Sequence, residues 1–478
     1  MTERLTYSDL FPYPQARRGQ DEMMTEIESA VREGVHICAE APNGFGKTCT
    51  TLSGVLPWVK ENGGKLLYCA RTHRQLDRVV EELVAISEKS DVSGVSFRGR
   101  RHMCINEFVL ENADLVAPIS EVCGHLRASR RCAFYERLRK MGGPEDLLED
   151  MPAHVLTAPE LVNIGRKMSV CPYELAKRLA KVVDVVALSY LYVFDPWIME
   201  SFLPDLETPM SKMILVQDEA HNVPSTALDS ASDMLTISTI RSALREATTY
   251  NDSMAKDFSR ALAKCVLELS SGMDENEERI IDPKALYDYA LETSGIDSEM
   301  DVLSYLKDLG TKIRRGLLKA GKFPRSSIHR VADFLLHWLK LTKRNDYSFI
   351  LSSERGRGES RKVALNLVAL DPTSVTSPIL NLVHSSVAVS GTISPLDAYS
   401  EMLGFGEVSI KKSFDNPFAT RNRLCMIVEG LETSFQARND AMFGRMVDHC
   451  VAIAHATPGN TGIFTTSYFV AKSLLNAG

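Results

Sequence analysis

The segment Ala41-Pro-Asn-Gly-Phe-Gly-Lys-Thr48 constrains the fold of this chain more than any other part of its sequence. It follows an apolar run, Val35–Ala39, that indicates a buried strand, and it precedes a helical pattern. Gly44 and Gly46 would let backbone N–H groups turn inward around a phosphate, although alanine stands where such loops usually begin with glycine. A Gly-rich turn formed by chance is the alternative, and the intact Gly-Lys-Thr at a strand–helix boundary argues against it. The sequence therefore predicts an α/β fold built around a phosphate-binding loop.

Side chains suited to magnesium and water chemistry occur at two places. Lys47 can reach the β and γ oxygens of a nucleotide, and the Thr48 hydroxyl can ligate Mg²⁺. A second apolar run, Met213–Val216, leads to the adjacent carboxylates Asp218 and Glu219. In folds with such a loop, the acid at this strand end holds Mg²⁺ and the next can orient the attacking water. An Asp-Glu pair alone is usually a solvated strand end, but with Lys47 upstream it predicts a nucleotide-hydrolysing site.

Short apolar runs recur along the chain and alternate with helical patterns. They are Val35–Ala39, Leu66–Cys69, Val182–Leu188, Met213–Val216 and Val387–Val389. Strands separated by helices predict a parallel, doubly wound sheet. The intervals from Cys69 to Val182 and from His221 to Val387 are longer than one crossover needs. We therefore expect an inserted domain in each interval, the second of them dominated by helices.

The bulk composition limits the class of protein. At 478 residues the chain is too long for one compact core. It has neither an apolar leader nor a run of about eighteen apolar residues, so we expect no secretory signal, no membrane span and a cytoplasmic protein, or a nuclear one in a eukaryote. Ten cysteines without an export signal argue against a disulfide framework. The net charge of −7 argues mildly against nucleic acid, but an electrostatic footprint is local.

Several motifs together resemble those of one helicase family. Asp218-Glu-Ala-His221 resembles the DEAH box of superfamily 2 helicases, Arg71-Thr-His-Arg-Gln75 their motif Ia, and Ser390-Gly-Thr392 their motif III. Arg17 and Gln20 resemble the Arg-x-x-Gln that recognises adenine in this branch. The more specific phrases are Glu40-Ala-Pro-Asn-Gly-Phe-Gly-Lys-Thr48, Ser390-Gly-Thr-Ile-Ser-Pro395 and Cys171-Pro-Tyr173. They are similar to those of the XPD-type family of DNA-repair helicases, to which DinG and FancJ are related, and matching landmarks run from about residue 11 to 470.

This resemblance implies a RecA-like P-loop fold and an ATP-dependent helicase that moves along single-stranded DNA. The residues that would bind ATP and Mg²⁺ are Arg17, Gln20, Ala41, Pro42, Asn43, Gly44, Phe45, Gly46, Lys47 and Thr48. Catalysis would fall to Lys47, Thr48, Asp218, Glu219 and His221, and coupling to movement would fall to Ser390, Gly391 and Thr392. The resemblance also implies 5′→3′ polarity and a role in nucleotide excision repair.

Four cysteines fall inside the first interval: Cys104, Cys123, Cys132 and Cys171. Their spacing alone leaves zinc, an iron–sulfur cluster and unrelated buried thiols open, and it favours unrelated thiols because no C-x₂₋₄-C knuckle is present. The resemblance reverses this preference, since XPD-type helicases hold a [4Fe–4S] cluster with four cysteines at this point. Cys123 is the weakest of the four ligand assignments, because only its position in the sequence supports it. We expect the other cysteines to be packing residues.

A candidate DNA-binding region begins in the same interval. Residues 98–140 hold nine Lys/Arg against five Asp/Glu, and Arg100 and Phe134 lie among them. A positive groove with aromatic platforms suits sequence-independent binding of single strands. The alternative, which is favoured for Phe134, is that the aromatic residues pack around the cluster. Tyr173 and Lys177 are four residues apart on one helical face, where one could stack on a base and the other pair with a phosphate. The alternative for Tyr173 is packing. The resemblance adds Arg71, Thr72 and His73 as DNA contacts.

These motifs divide the chain into four parts. Residues 1–97, 176–223 and 386–414 would form the first RecA-like domain, 98–175 the iron–sulfur domain, 224–385 a helical arch domain and 415–478 the beginning of a second RecA-like domain. Gly462–Tyr468 resembles motif IV, an early strand of that second domain. A superfamily 2 motor also needs arginine fingers from a Gln-x-x-Gly-Arg-x-x-Arg motif, which is not found here. We therefore expect the second domain to be truncated after Gly478.

Two other functions remain open from the sequence. A DinG- or FancJ-like relative would share the chemistry and differ in its biology. A DNA-binding or scaffolding ATPase would engage DNA without translocating. We expect a monomer, and the sequence does not identify its protein partners, which could be repair proteins.

Overall fold

The computed structural model describes residues 4–112, 118–297, 299–320, 322, 324–355, 361–419, 421, 424–432 and 434–478. The chain divides into two compact units, Met1–Pro417 and Phe418–Gly478. The strands are β1 (His36–Glu40), β2 (Lys65–Ala70), β3 (Gly94–Ser96), β4 (Val155–Leu156), β5 (Val185–Ser189), β6 (Met213–Asp218), β7 (Asp233–Thr236), β8 (Glu277–Ile280), β9 (Tyr347–Arg355), β10 (Arg361–Ala369), β11 (Ser385–Ser390) and β12 (Ser409–Ser413).

The helices cover the sheets and build the insertions. They are α1 (Tyr7–Leu10), α2 (Gln20–Glu33), α3 (Lys47–Asn62), α4 (His73–Ser87), α5 (Arg100–Met103), α6 (Glu107–Asn112), α7 (Ile119–Ala128), α8 (Ala133–Leu138), α9 (Pro144–Glu149), α10 (Ala158–Met168), α11 (Pro172–Leu179), α12 (Leu191–Phe194), α13 (Pro196–Phe202), α14 (Val223–Ala231), α15 (Ile237–Thr249), α16 (Ser253–Leu269), α17 (Pro283–Ser294), α18 (Val302–Lys319), α19 (Ser327–Lys340), α20 (Thr373–Leu380), α21 (Leu396–Leu403), α22 (Asp440–Ala456) and α23 (Tyr468–Ala477).

The main sheet of the first unit has the strand order β12-β1-β11-β6-β2-β5-β3-β4 in the described residues. Every neighbouring pair in it is parallel. All five apolar runs of the sequence lie in this sheet, so the predicted α/β doubly wound fold is confirmed. The run predicted from Val182 enters the sheet only at Val185, because its first residues form the turn after α11.

Side chains alternate between the two faces of the sheet, and each face has its own core. Along β1, Ile37 and Ala39 enter the core beneath α2, α3 and α4, whereas Cys38 enters the opposite core. That second core is completed by residues of α10 to α13, α20 and α21. Helices therefore cover both faces, as burial of an all-parallel sheet requires.

The order β1-β11-β6 places three loops side by side. Glu40 at the end of β1 is in register with Ser390 of β11, and Val389 of β11 is in register with Asp218 of β6. Because the carboxyl ends of parallel strands lie at one edge of the sheet, the segments that follow β1, β11 and β6 meet there.

The first insertion packs in part on the main sheet and in part on a core of its own. A separate small core contains Val109, Val122, Leu126 and Cys132. By contrast, β4 pairs with β3 at the edge of the main sheet, and α10 and α11 pack on the core of the main sheet. The predicted segment 98–175 therefore includes residues from 155 onward that the structure places with the main sheet.

The second insertion has a core of its own. It contains a sheet, whereas the sequence predicted a domain dominated by helices. Helices α15 to α19 pack on an antiparallel sheet of order β7-β10-β9-β8. Along β10, Val363, Leu365, Leu367 and Ala369 are buried, a two-residue period that is typical of a half-buried strand. The small Ala364 is buried as well. Amphipathic helical patterns dominate the sequence of the second insertion, so the alternating pattern of β10 does not stand out from them.

The second unit contains α22 and α23, which pack through Met442, Phe443 and Val470. The strand expected at Gly462–Tyr468 is not formed: residues 461–465 have no regular structure, and α23 begins at Tyr468. A strand needs a paired neighbour for its backbone hydrogen bonds, and within the described residues 424–432 and 434–478 no strand is present. No helix of the described chain is long and apolar enough to cross a bilayer.

Candidate active site: a nucleotide cleft at the sheet edge

The phosphate loop has the backbone conformation that its glycines allow. Gly44 and Gly46 adopt positive φ angles of 81° and 90°, and Gly46 immediately precedes α3. A Cβ at Gly46 would lie 2.5 Å from the Gln20 Nε2 atom. The loop therefore requires glycine at position 46 both for conformation and for space.

Lys47 and Thr48 form the first turn of α3. The Lys47 Nζ atom lies 3.2 Å from the Ala41 carbonyl oxygen and 3.3 Å from the Asn43 Oδ1 atom, so its cation is held over the loop. Thr48 is half-buried at the helix N-terminus, where a hydroxyl can meet a metal ion bound to phosphate. Lys47 and Thr48 thus lie where the loop passes into the helix, as the sequence predicted.

Arg17 and Gln20 support the loop from the N-terminal segment. The Gln20 side chain accepts a hydrogen bond from the Arg17 N–H (2.7 Å) and donates one to the Phe45 carbonyl (2.7 Å). Arg17 donates to the Gly44 carbonyl at 2.9 Å. A cavity of about 410 Å³ opens beside them. Its lining includes Phe11 and Tyr13, two aromatic residues that the sequence reading had not selected.

Asp218 and Glu219 end β6 next to the phosphate loop. Burial, together with the neighbouring charge of Glu219, raises the pKa of the Asp218 carboxyl to about 6, against the opposing charge of Lys47. A bound Mg²⁺ would favour the charged form of this group. Glu219 has a left-handed backbone with φ 53°, which turns the chain sharply after the strand. The two acids therefore leave the strand in different environments, one buried and one half-exposed.

His221 joins the end of β6 to the end of β11. Its Nδ1 atom lies 2.8 Å from the Ser390 Oγ atom and 3.5 Å from the Thr392 Oγ1 atom. The Ser390 hydroxyl also lies 3.4 Å from the Glu219 Oε2 atom. Gly391 approaches the phosphate loop, since a Cβ there would lie 3.5 Å from the Ala41 carbonyl oxygen and from the Asn43 Oδ1 atom. The residues predicted for coupling thus contact those predicted for catalysis.

Two buried tyrosines, which were not predicted from the sequence, hold the backbone of the Asp218–His221 turn. Tyr190 donates to the Asp218 carbonyl, and Tyr399 donates to the Ala220 carbonyl at 2.8 Å. Both rings lie in the core of the main sheet. Only tertiary contacts identify them, because neither stands within a recognisable motif.

The segment after β2 is exposed beside this network. Thr72 is the N-cap of α4, and its hydroxyl accepts a hydrogen bond from the Gln75 N–H at 3.3 Å. Arg71 immediately precedes this cap. Arg71 donates to the Asn222 Oδ1 atom at 2.8 Å. The ring of His73 packs edge-on against that of His102 in the first insertion, with centroids 4.3 Å apart.

The four candidate cysteine ligands lie in one region of the first insertion. Burial raises the pKa of the Cys104 and Cys123 thiols, and that of Cys171 to about 12. The thiols are close enough for charge on Cys123 or Cys132 to raise the pKa of Cys104 and of Cys171. Within the described residues, no group of His, Cys, Asp or Glu side chains is positioned as the ligands of one metal ion. The donor set, four neighbouring thiols, is nevertheless the one that an iron–sulfur cluster uses.

The predicted DNA contacts near these cysteines are engaged within the protein. The ring of Tyr173 is 8% exposed, and the Arg100 guanidinium lies 3.9 Å from its centroid. Arg100 also pairs with Glu174 at 3.0 Å and contacts the Cys123 Sγ atom at 3.4 Å. This burial favours the packing alternative for Tyr173 over base stacking.

Lys177 and Phe134 are engaged in a similar way. Lys177 forms an ion pair with Asp205, so its cation already has an acidic partner. Phe134 packs against the small core that contains Cys132 and Cys104. Both side chains therefore have partners within the protein, and the contact of Phe134 matches its packing alternative.

Comparisons with known proteins show which proteins this chain is similar to. A model of the DEAD_2 family matches residues 68–240. The chain is 24% identical over 555 residues to the general transcription and DNA repair factor IIH helicase subunit XPD/RAD3 of Saccharomyces cerevisiae, covering 98% of this chain and 70% of that protein. The corresponding XPD subunit of Schizosaccharomyces pombe is also 24% identical, over 553 residues, with the same coverage.

A solved structure titled XPD_Helicase shares the fold. It superposes with a TM-score of 0.59 at 19% identity and covers 97% of this chain and 75% of that one. Together with the family match, this confirms the resemblance that the motifs predicted.

Proposed function

We infer that this chain is an ATP-dependent DNA helicase of the XPD type. One observation carries the inference: the strand order β1-β11-β6 brings Lys47 and Thr48, Asp218 and Glu219, and Ser390 to one edge of the sheet. A phosphate loop, a metal-binding acid, a water-orienting acid and a coupling segment are the parts that nucleotide-driven motors need. The similarity to XPD over nearly the whole chain specifies DNA as the track.

ATP and Mg²⁺ fit the cleft as follows. Backbone N–H groups of the loop and Lys47 would hold the phosphates, while Thr48 and Asp218 would ligate Mg²⁺. Glu219 would orient the attacking water, and the cavity bordered by Phe11, Tyr13 and Arg17 would receive the base. Arg17 and Gln20 support this placement, because both also hold the loop by hydrogen bonds.

The track would be single-stranded DNA, read without base specificity. We assign the first contact to Arg71, Thr72 and His73, since Arg71 and Thr72 are exposed at the start of α4. The N-terminus of this helix favours a phosphate. The polarity we propose is 5′→3′, and the setting nucleotide excision repair. We propose a monomeric motor that acts together with repair proteins.

A [4Fe–4S] cluster would be held by Cys104, Cys123, Cys132 and Cys171. These thiols come from four separate stretches of the first insertion, next to α5, in α7, before α8 and before α11. When bound, such a cluster ties these stretches together as a structural crosslink. The burial and mutual proximity of the thiols support this assignment.

A test of the enzymatic proposal is hydrolysis of ATP with and without single-stranded DNA. We expect the rate to rise when oligothymidylate is added, because a motor couples hydrolysis to its track. Addition of the same oligonucleotide in duplex form is the control and should stimulate less. A rate that is identical under all three conditions would contradict a DNA-dependent motor.

A further inference from the structure

An unbroken chain of hydrogen bonds links the exposed Arg71 to the half-exposed Glu219. Arg71 Nη1 donates to Asn222 Oδ1 at 2.8 Å, and Asn222 Nδ2 lies 3.0 Å from His221 Nε2. His221 Nδ1 lies 2.8 Å from Ser390 Oγ, which lies 3.4 Å from Glu219 Oε2. Asn222 thus connects Arg71, a predicted DNA contact, to His221 of the DEAH turn.

The direction of each hydrogen bond follows from what each group can do. A guanidinium only donates, so the Asn222 oxygen must face Arg71. The Asn222 amide group then faces the Glu219 carbonyl oxygen at 2.9 Å and the His221 Nε2 atom. That nitrogen must accept, which puts the proton of a neutral His221 on Nδ1 and directs it to Ser390. Ser390 is left to donate its own proton to the Glu219 carboxylate.

Every bond therefore points from the cation to the carboxylate. Hydrogen bonds in such a series polarise and orient one another. The second donor contact of Asn222, to the Glu219 carbonyl oxygen, holds the backbone of the residue that carries this carboxylate.

We propose that Asn222 is a positioning residue that transmits DNA binding at Arg71 to the orientation of Glu219. This inference rests on the proposed function. Arg71 is exposed at the start of α4, and a guanidinium has five N–H donors, so it can hold a DNA phosphate and Asn222 together. Binding the phosphate fixes the guanidinium, and the fixed guanidinium holds Asn222, His221 and Ser390 in the arrangement that directs Glu219. The linkage makes hydrolysis depend on DNA without any contact between DNA and nucleotide.

The test compares Asn222→Ala, Arg71→Ala and the double variant with Ser225→Ala as the matched control. Ser225 is exposed near the start of α14, and its hydroxyl donates to the Asn222 carbonyl at 3.0 Å. Single-turnover hydrolysis of labelled ATP, with and without oligothymidylate, gives the stimulation factor. Fluorescence anisotropy gives the affinity for the same oligonucleotide, and thermal melting reports folding.

Asn222→Ala should lower the stimulation factor by about 5- to 150-fold, the usual range for coupling between two sites, with unchanged DNA affinity. Arg71→Ala should lower both the stimulation and the affinity. The double variant should be no less stimulated than Arg71→Ala, because both changes interrupt one path. Ser225→Ala should behave as the unsubstituted protein.

Asn222→Asp separates transmission from simple anchoring of Arg71. Aspartate still accepts from Arg71 but cannot donate to His221 or to the Glu219 carbonyl, so stimulation should be lost. Retained stimulation in Asn222→Asp or in Asn222→Ala, or effects that multiply in the double variant, would overturn the proposal. If the unsubstituted protein is not stimulated by DNA at all, the proposed function fails and this inference fails with it.

Discussion

Replacing Lys47 by alanine is expected to lower ATP turnover by at least about 10²–10³-fold, because removing one preorganised charge or donor at a developing negative charge costs this much. Binding of single-stranded DNA should be almost unchanged, since the DNA phosphates would be met by Arg71 and its neighbours. The two quantities are measured on the same protein by steady-state hydrolysis and by anisotropy with labelled oligothymidylate.

The matched control is Lys60→Ala, which removes a lysine from the other end of the same helix, where it pairs with Asp184 at 3.2 Å. This variant should hydrolyse ATP normally. Full activity in Lys47→Ala would remove the phosphate loop from the active site. Equal loss in both variants would show that helix α3 tolerates no such change and that Lys47 has no special role.

Changing Cys104, Cys132 or Cys171 to serine is expected to abolish the iron–sulfur cluster. Protein purified without oxygen should contain about four iron and about four acid-labile sulfide per chain, and each variant should lose both together with the brown absorbance. Loss of one thiolate leaves an incomplete ligand set, and the small core around Cys132 would lose its crosslink. Iron and sulfide analysis with visible absorbance provides the measurement.

Cys425→Ser is the control for these variants, because Cys425 is exposed and belongs to the second unit. It should keep the cluster. Cys123→Ser tests the fourth ligand by itself: a retained cluster would show that another group completes the set. Stoichiometric zinc without sulfide in the unsubstituted protein would replace the cluster by a structural zinc site.

The sheet and the nucleotide cleft could be predicted because their signals are local in sequence. The phosphate loop must be continuous, and the strand that carries Asp218 is apolar from Met213 to Val216 because it is buried on both faces. Because the strands are parallel, their carboxyl ends then lie at one edge of the sheet. Lys47, Asp218 and Ser390 therefore converge in the structure as the motifs indicated.

Contacts that depend on tertiary packing could not be predicted. Nothing in the sequence shows that Tyr190 and Tyr399 donate to the backbone of the DEAH turn, or that Asn222 lies between Arg71 and His221. Tyr173 shows what helical periodicity leaves open. Helical periodicity places it and Lys177 on one face, but it does not reveal that Arg100 covers the ring.

The second sheet of the helical insertion escaped prediction for a related reason. Its strands β9 and β10 follow a long series of amphipathic helices, and their alternating burial is visible only over a few residues. The strand that a motif resemblance predicted at Gly462–Tyr468 is the converse case, because the described residues 424–432 and 434–478 contain no strand to pair with it. Whether such a segment forms a strand therefore depends on pairing partners elsewhere in the chain.

The central claim, that the molecule is a DNA helicase, is tested most directly by strand displacement. The natural protein that contains residues 1–478 is mixed with forked duplexes that carry a 5′ or a 3′ single-stranded tail, with and without ATP, and Lys47→Ala is the control. The account predicts ATP-dependent release of the labelled strand from the 5′-tailed substrate and none with Lys47→Ala. DNA-stimulated hydrolysis without displacement from either substrate would contradict it and would identify a DNA-binding ATPase that does not translocate.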